Sequence, residues 1–271
     1  MIEFYKMSGC GNDFILIDNR DKKLDGIDLK PFAASICRPK VSVGADGLIV
    51  IEPSDKADFR WIFLNADGSE AEMCGNGGRC AARFAFIKGI AGERLSFETK
   101  AGIIDAEVKG EVVKLRLTDP RDLKLDYAIP VKGGHLKVNS VNTGVPHVVS
   151  FVDAINEFDV FGYGRDVRFH SAYAPAGTNV NFVKLEGPNR LRVRTYERGV
   201  EDETLACGTG AVASALIATS KSLVDSPVEI LVKSGEILKI YFDKSGDSFS
   251  KVYLEGKASV IYEGKIWKEA Y

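Results

Sequence analysis

The chain has 271 residues, of which 45% are hydrophobic and 27% charged, and its formal net charge at pH 7 is −2. These values are typical of a globular protein with one large or two medium-sized domains. They argue against a basic nucleic-acid-binding surface and against an acidic tail. The apolar runs are too short to span a bilayer, and the first residues lack the apolar segment of a signal peptide. We therefore expect a cytoplasmic protein without a membrane partner.

Short runs of alternating or β-branched apolar residues dominate the sequence and predict strands. In chain order these strands cover residues 2–6, 13–18, 47–52, 59–65, 94–100, 111–118, 136–142, 147–153, 181–186, 191–197, 228–233, 237–242 and 251–255. Helical patterns cover residues 29–37, 76–88 and 208–220. In the second helix, Cys80, Phe84 and Ile87 share one apolar face. The third is apolar nearly all round, so we expect it to be buried.

The five cysteines are an odd number in a long chain, which disfavours a disulfide framework. Their spacing lacks the paired CxxC pattern of a structural zinc site, so no metal is expected. Three of them, Cys10, Cys37 and Cys80, are best interpreted as small buried hydrophobic residues.

Two segments resemble one another and centre on the remaining cysteines. SEAEMCGNGGRCAAR, residues 69–83, aligns with DETLACGTGAVASAL, residues 202–216, and pairs Cys74 with Cys207 at an offset of 133 residues. Upstream, SGCGNDFILID aligns with TGVPHVVSFVD at an offset of 135 residues. Two repeats in the same order at nearly the same offset predict a duplicated domain. Its boundary is predicted at the turn Asp119-Pro120.

Each repeat places a cysteine before a glycine-rich turn and a helix. Backbone N–H groups at a helix start bind anions, and the same field favours a thiolate. An anionic amino acid with one sulfur on each side would suit stereoinversion, because one thiolate could remove the α-proton while the other thiol protonates the opposite face. The helix starts would stabilise the charge that develops in the transition state. We therefore predict that Cys74 and Cys207 are catalytic.

Five motifs, in order along essentially the whole chain, resemble the signatures of the diaminopimelate epimerase family. They are Gly9-Cys-Gly-Asn-Asp-Phe14, Asn65-Ala-Asp-Gly-Ser69, Met73-Cys-Gly-Asn-Gly-Gly-Arg-Cys80, Gly177-Thr-Asn-Val-Asn-Phe182, and Glu197-Arg-Gly-Val with the later Leu-Ala-Cys207-Gly-Thr-Gly210.

The resemblance implies a pyridoxal-phosphate-independent isomerase, with no cofactor, that converts LL-2,6-diaminopimelate to the meso form in lysine and peptidoglycan precursor biosynthesis. It implies a homodimer. The fold class would be α/β (α+β), with mixed sheets and helices. The fold would consist of two pseudo-symmetric domains, each a curled mixed sheet around a central helix. The domains would be residues 1–118, to which the tail 263–271 returns, and residues 119–262.

The same resemblance assigns roles by motif position. Cys74 and Cys207 would be the acid–base pair. The carboxylate at the reacting centre would be held by Gly75, Asn76, Gly208 and Thr209. The amino groups and the distal carboxylate would meet Asn12, Asn65, Asn179, Glu197 and Arg198, of which the guanidinium can bind a carboxylate bidentately. The pKa values of the cysteines would be tuned by His147 and Glu197.

Two positions depart from the pattern of many family members. Val145 stands where many have an asparagine, and Gly47 where many have a glutamine. Both departures concern recognition of the distal carboxylate rather than the two-cysteine chemistry.

Several other functions stay open at this point. A racemase of another amino acid, such as histidine or proline, could use the same fold, and Arg198 is the residue that would distinguish it. A related isomerase of phenazine biosynthesis would lack the cysteine pair. A thiol-redox protein using a Cys74–Cys207 disulfide is disfavoured because the chain has no CxxC motif. A non-catalytic binding module would not need either cysteine.

Overall fold

A computed structural model describes residues 1–71 and 73–271. The chain divides into two compact units, residues 1–115 with 256–271, and residues 116–255. The predicted domain limits, residues 1–118 with 263–271 and residues 119–262, remain a prediction. Within the described residues, every helix is too short or too polar to cross a membrane.

The described residues form seventeen strands and four α-helices, with short 3₁₀ segments at Ser171–Tyr173 and Lys268–Ala270. The strands are β1 Ile2–Gly9, β2 Asn12–Asp18, β3 Gly47–Glu52, β4 Phe59–Asn65, β5 Arg94–Thr99, β6 Gly102–Lys109, β7 Val112–Arg116, β8 Arg121–Val131, β9 Gly134–Asn142, β10 Pro146–Phe151, β11 Asn179–Gly187, β12 Arg190–Glu197, β13 Asp202–Thr204, β14 Val228–Leu231, β15 Ile237–Ser245, β16 Ser248–Lys257 and β17 Ser259–Ile266. The helices are α1 Leu29–Ile36, α2 Gly75–Ile87, α3 Val160–Arg168 and α4 Gly208–Ser220.

The first unit is built on a mixed sheet in the order β17-β1-β2-β3-β4-β5-β6-β7. The pairs β2–β3 and β4–β5 are parallel, and the other pairs in this order are antiparallel. Helix α2 packs against β1, β2, β3 and β6. The other helix, α1, buries Phe32, Ala33 and Ile36 in an apolar cluster with residues of β1, β2 and β3.

The second unit repeats this topology with β8-β9-β10-β11-β12-β14-β15-β16. Its parallel pairs are β10–β11 and β12–β14, at the same places in the order as those of the first unit. Helix α4 packs against β9, β10, β11, β12, β14 and β15. The short strand β13 pairs with the end of β12. The duplication inferred from two short alignments therefore extends to the strand order and strand directions of both units.

The predicted mixed α/β class is confirmed, and so is the position of every strand and helix predicted from periodicity, with ends that shift by a few residues. Burial alternates along β12. Leu191, Val193 and Thr195 are buried, and Arg192 and Arg194 between them are half-buried. Helix α4 is buried over Gly210–Thr219, as its all-round apolar pattern predicts.

One predicted face is partly wrong. Cys80 and Phe84 of α2 are buried, but Ile87 is 42% exposed. It is the last residue of the helix and is followed by the exposed Lys88 and Gly89, so the chain is already at the surface there.

Four strands and one helix escaped the periodicity analysis. Strand β8 is exposed at most of its positions, and β6 and β17 are buried at few, so alternation is weak. Strand β13 has only three residues. Helix α3 has nine residues and contains Gly162 and Gly164, which lower the helical propensity of so short a segment.

Candidate active site

The two units place a cysteine at the same point, the residue that caps a 13-residue helix. Cys74 precedes α2 with φ −142° and ψ 121°, and Cys207 precedes α4 with φ −122° and ψ 112°. The carbonyl of each cysteine accepts the first hydrogen bond of its helix, from Gly78 N at 2.8 Å and from Ala211 N at 2.9 Å. Each sulfur is therefore attached directly to a helix start, as the repeat predicts.

The first N–H groups of each helix have no carbonyl within the helix to bind, because the hydrogen-bond ladder begins four residues later. Such N–H groups can bind an anion, and the helix dipole favours one there. A Cβ on Gly75 would meet no atom within 4 Å, whereas a Cβ on Gly208 would lie 3.1 Å from Leu254 Cδ1. Cys74 is half-buried, and Cys207 is 8% exposed. A helix N-terminus is a position at which a cysteine favours its thiolate form.

In the second unit, the predicted residues His147, Thr209 and Cys207 form a connected group. His147 Nε2 lies 2.9 Å from Thr209 Oγ1, and that oxygen lies 3.6 Å from Cys207 Sγ. Burial, together with the positive charge of Arg198, lowers the pKa of His147 to about 3. His147 is therefore a neutral hydrogen-bonding group at neutral pH.

The first unit has a corresponding pair in Asn12 and Asn76. Asn76 follows Cys74 by two residues, as Thr209 follows Cys207, and its Nδ2 donates to Asn12 Oδ1 at 2.6 Å. Asn12 Nδ2 donates in turn to Asp46 Oδ2 at 2.9 Å. In each unit, the residue two positions after the cysteine thus hydrogen-bonds to a residue at the start of a strand. That strand is β2 in the first unit and β10 in the second.

Arg79 is a residue of this site that the sequence analysis left without a role. Its side chain is fully buried in α2, and its Nη2 donates to Asn76 Oδ1 at 2.9 Å and to Cys10 Sγ at 3.3 Å. Its Nη1 donates to Gly75 O at 3.3 Å. The available signal was an arginine inside the otherwise small and apolar segment 77–82, where a charge requires buried partners.

Three further predicted residues lie together at the start of β11 and the end of β12. Asn179 accepts a hydrogen bond from Arg198 N at 2.9 Å through its Oδ1 and donates to Pro146 O at 3.1 Å. Arg198 Nη1 donates to Ala176 O at 3.3 Å. Glu197 is the last residue of β12, and burial raises the pKa of its carboxyl group. Asn179 thus fixes the backbone that presents Arg198.

Asn65 and Glu197 occupy equivalent places in the two units, because Asn65 ends β4 and Glu197 ends β12, the fifth strand in the order of each sheet. Asn65 is exposed, and its Nδ2 donates to Ser69 Oγ at 3.0 Å. The pairs Asn12 and His147, Asn65 and Glu197, and Asn76 and Thr209 show that the predicted site residues follow the duplication.

The other cysteines are packed inside their unit. Burial raises the pKa of the Cys37 and Cys80 thiols to about 12, so both remain protonated at neutral pH. Cys10 is buried as well and has a positive φ of 55°, at the hairpin between β1 and β2.

The two departures from the motif pattern have different local settings. A Cβ on Gly47 would lie 2.7 Å from Leu64 O and 2.8 Å from the Phe63 ring, so the backbone here leaves no room for a side chain. Val145 lies in the β9–β10 turn, where its carbonyl accepts a hydrogen bond from Thr143 N at 3.1 Å.

Comparison with known proteins gives relatives that match this chain over nearly its whole length. The family model described as diaminopimelate epimerase matches residues 4–121 and 139–261. A diaminopimelate epimerase of Aquifex aeolicus is 46% identical over 279 residues, covering 99% of both chains. One from Archaeoglobus fulgidus is 44% identical, covering 97% of this chain and 95% of the relative.

Two solved structures share the fold at 15% identity. A phenazine biosynthesis protein of the PhzF family from Bacillus anthracis matches with a TM-score of 0.76, covering 98% of this chain and 99% of the other. A probable proline racemase from Agrobacterium radiobacter K84, with bound carbonate, matches with a TM-score of 0.73, covering 99% and 93%.

Proposed function

We propose, because this chain belongs to the diaminopimelate epimerase family, that it interconverts LL- and meso-2,6-diaminopimelate without pyridoxal phosphate. The observation that carries the proposal is the duplicated unit, in which Cys74 and Cys207 each cap the N-terminus of a 13-residue helix. An epimerase that inverts one carbon without a cofactor needs two acid–base groups, and the duplication supplies two of the same kind.

In the proposed reaction, the thiolate of one cysteine takes the α-proton, so that the Cα–H bond breaks, an S–H bond forms and the electron pair stays on the substrate. The thiol of the other cysteine then gives its proton to the opposite face of the α-carbon. The substrate leaves inverted, and the two sulfurs have exchanged protonation states. In the reverse direction their roles are exchanged. Groups that titrate near the working pH are the most effective for such transfers.

The remaining residues bind and polarise the substrate. The N–H groups at Gly75, Asn76, Gly208 and Thr209 hold the α-carboxylate, on which negative charge grows as the proton leaves. The amino groups and the distal end of the substrate meet Asn12, Asn65, Asn179, Glu197 and Arg198. A guanidinium matches a carboxylate bidentately, so Arg198 selects a substrate with two carboxylates. His147 and Glu197 set the protonation of the cysteines.

The same proposal places the enzyme in the cytoplasm, as a homodimer, in the synthesis of lysine and of peptidoglycan precursors. Its product would be the meso isomer that later enzymes of these routes consume.

The reaction is tested by incubating the protein with LL-diaminopimelate in deuterated water. We expect meso-diaminopimelate with deuterium at the inverted α-carbon, detected by mass spectrometry and chiral chromatography. Because the proton donated to the second face comes from a thiol in exchange with solvent, label should enter with inversion. Turnover of a monocarboxylic amino acid such as proline, with none of diaminopimelate, would contradict the proposed substrate.

The two-cysteine mechanism predicts that Cys74→Ala and Cys207→Ala each lower kcat by at least about 10²-fold, the usual contribution of one acid–base group. The matched control is Cys37→Ala, which removes a buried thiol of the α1 end and should retain turnover. Near-normal turnover in a Cys74→Ala, Cys207→Ala double variant would refute the mechanism.

A further inference from the structure

We infer that Asn181 is a positioning residue that, by deciding which nitrogen of His147 carries the proton, turns the hydroxyl proton of Thr209 towards the sulfur of Cys207. The inference rests on the proposed function to the extent that Cys207 works as an acid–base group. Asn181 has no role predicted from the sequence, although it lies within the motif Gly177-Thr-Asn-Val-Asn-Phe182.

The first step is the orientation of the Asn181 amide. The side chain is fully buried in β11, and its Nδ2 lies 2.9 Å from Val148 O. A carbonyl oxygen can only accept, so the amide nitrogen must face it. On the other side, Asn181 Oδ1 accepts a hydrogen bond from Thr195 Oγ1 at 2.9 Å. The contact with Val148 O selects this orientation of the amide, and the Thr195 hydroxyl, which can donate or accept, is compatible with it.

The second step is the tautomer of His147. In this orientation the Asn181 Nδ2 donor lies 3.1 Å from His147 Nδ1, so Nδ1 must be the acceptor. The imidazole is fully buried, and its lowered pKa keeps it neutral at neutral pH. A neutral ring carries one proton, and with Nδ1 accepting, that proton is on Nε2.

The third step is the direction of the Thr209 hydroxyl. His147 Nε2 lies 2.9 Å from Thr209 Oγ1 and, carrying the proton, donates to it. The hydroxyl keeps its own proton and can donate it to Cys207 Sγ at 3.6 Å. A hydrogen bond to sulfur strengthens when the sulfur is a thiolate, because the acceptor is then charged. The chain of contacts therefore stabilises the charged state of Cys207.

The packing at the start of α4 leaves room for this series of hydrogen bonds. A Cβ on Gly210 would lie 2.2 Å from Asn181 Oδ1, so a glycine at this place lets the buried amide approach the helix. In the first unit the residue equivalent to Thr209 is Asn76, which has no hydroxyl and whose Oδ1 accepts from Arg79. The hydroxyl relay thus distinguishes Cys207 from Cys74.

The tautomer is tested without substrate, by NMR of protein labelled with ¹⁵N-histidine. The three histidines are assigned by comparing His135→Gln and His147→Gln. We expect His147 to carry its proton on Nε2 in the wild type. In Asn181→Asp, a carboxylate of the same size replaces the donor, so the proton should move to Nδ1. A wild-type proton on Nδ1, or an unchanged tautomer in Asn181→Asp, would overturn the inference whether or not the protein is an epimerase.

The effect on the sulfur is tested by alkylation with iodoacetamide at neutral pH, followed peptide by peptide in a mass spectrometer. Loss of one hydrogen bond to a charged atom should slow alkylation of Cys207 about tenfold in Thr209→Val and in Asn181→Asp. Thr209→Ser keeps the hydroxyl and should react like the wild type. Cys74 in the same digest is the internal control. Equal rates at Cys207 in all variants, or an equal loss at both cysteines, would overturn the relay.

Discussion

Burial determines the chemical role of His147. The ring is fully buried, and its two nitrogens contact Thr209 and Asn181, neither of which carries a charge. The imidazolium form loses its hydration without gaining an anion, so the pKa falls from 6.5 to about 3. In the proposed mechanism His147 therefore orients a hydroxyl, and the two cysteines transfer the proton to and from the substrate.

The same burial makes stability depend on pH. Between pH 6.5 and about 3, the unfolded chain binds a proton at His147 that the folded chain excludes. The neutral His147 therefore makes its full contribution to the free energy of unfolding above pH ~6.5. Below that pH the contribution falls by up to about 1.4 kcal/mol per pH unit. Urea unfolding of the wild type should therefore lose about 2 kcal/mol more than His147→Gln between pH ~6.5 and ~5.

His135 supplies the control for this measurement because it is exposed. His135→Gln should lose stability on acidification in parallel with the wild type. Parallel curves for the wild type and His147→Gln would show that His147 can accept a proton in the folded protein.

Motif position located the residues around the cysteines but not how their side chains are connected. Asn12, Asn76, His147 and Thr209 could be named from the sequence. Arg79 and Asn181, which hold Asn76 and His147, could not. A buried polar residue needs partners. Arg79 meets Asn76 within α2, but its other partner Cys10 lies in the β1–β2 hairpin, and Asn181 meets His147 on the neighbouring strand β10. Which elements supply these partners depends on the folded sheet.

At the scale of elements, the two cysteine-capped helices have equal length and different surroundings. Helix α4 is buried from Gly210 to Thr219. Helix α2 is buried from Asn76 to Ala85 except at the half-buried Arg83, and its last residue, Ile87, reaches the surface. The apolar spacing of a helix identifies one face, whereas burial of that face also requires a neighbour along its whole length.

The unequal burial of Phe84 and Ile87 predicts unequal effects when either side chain of α2 is truncated. Phe84 is fully buried and lies edge-on to Tyr5, with ring centroids 5.2 Å apart. Phe84→Ala should lower the free energy of unfolding by about 3–5 kcal/mol, because it removes buried apolar surface and leaves a cavity. Ile87→Ala, in the same helix, should cost less than about 1 kcal/mol. Equal losses in denaturant unfolding would contradict the exposure assigned to Ile87.

At the scale of the whole chain, the first unit is closed by strands from opposite ends of the sequence. Strand β17 pairs with β1 from Ile2 opposite Ile266 to Ser8 opposite Ser259. Ile266 is buried in the same apolar cluster as Ile2 and Phe4. The second unit has an equivalent strand, β8, next to β9 in the sequence. The sheet of the first unit thus needs residues 259–266, which follow the whole second unit in the sequence.

We expect Ile266→Ala to destabilise β1 together with β17. Deleting a buried isoleucine side chain costs about 2–5 kcal/mol, and strands in one cooperative unit open together. Hydrogen exchange measured by mass spectrometry should show lost protection in peptides covering both residues 2–9 and residues 259–266. Ile261→Ala, on the same strand at 56% exposure, should leave protection unchanged. Loss confined to β17 would contradict this coupling.

The amino-acid sequence was sufficient for the strands and helices with strong periodicity, for the duplication, and for the two cysteines at helix starts. These features depend on neighbours a few residues away, such as the glycines that follow each cysteine. The exposure of Ile87, the partners of Arg79, the tautomer of His147 and the return of β17 required the folded chain. The contacts of Asn181 with His147, of His147 with Thr209 and of Arg79 with Cys10 join residues 34, 62 and 69 positions apart. The register of a sheet, which local patterns do not encode, brings such residues together.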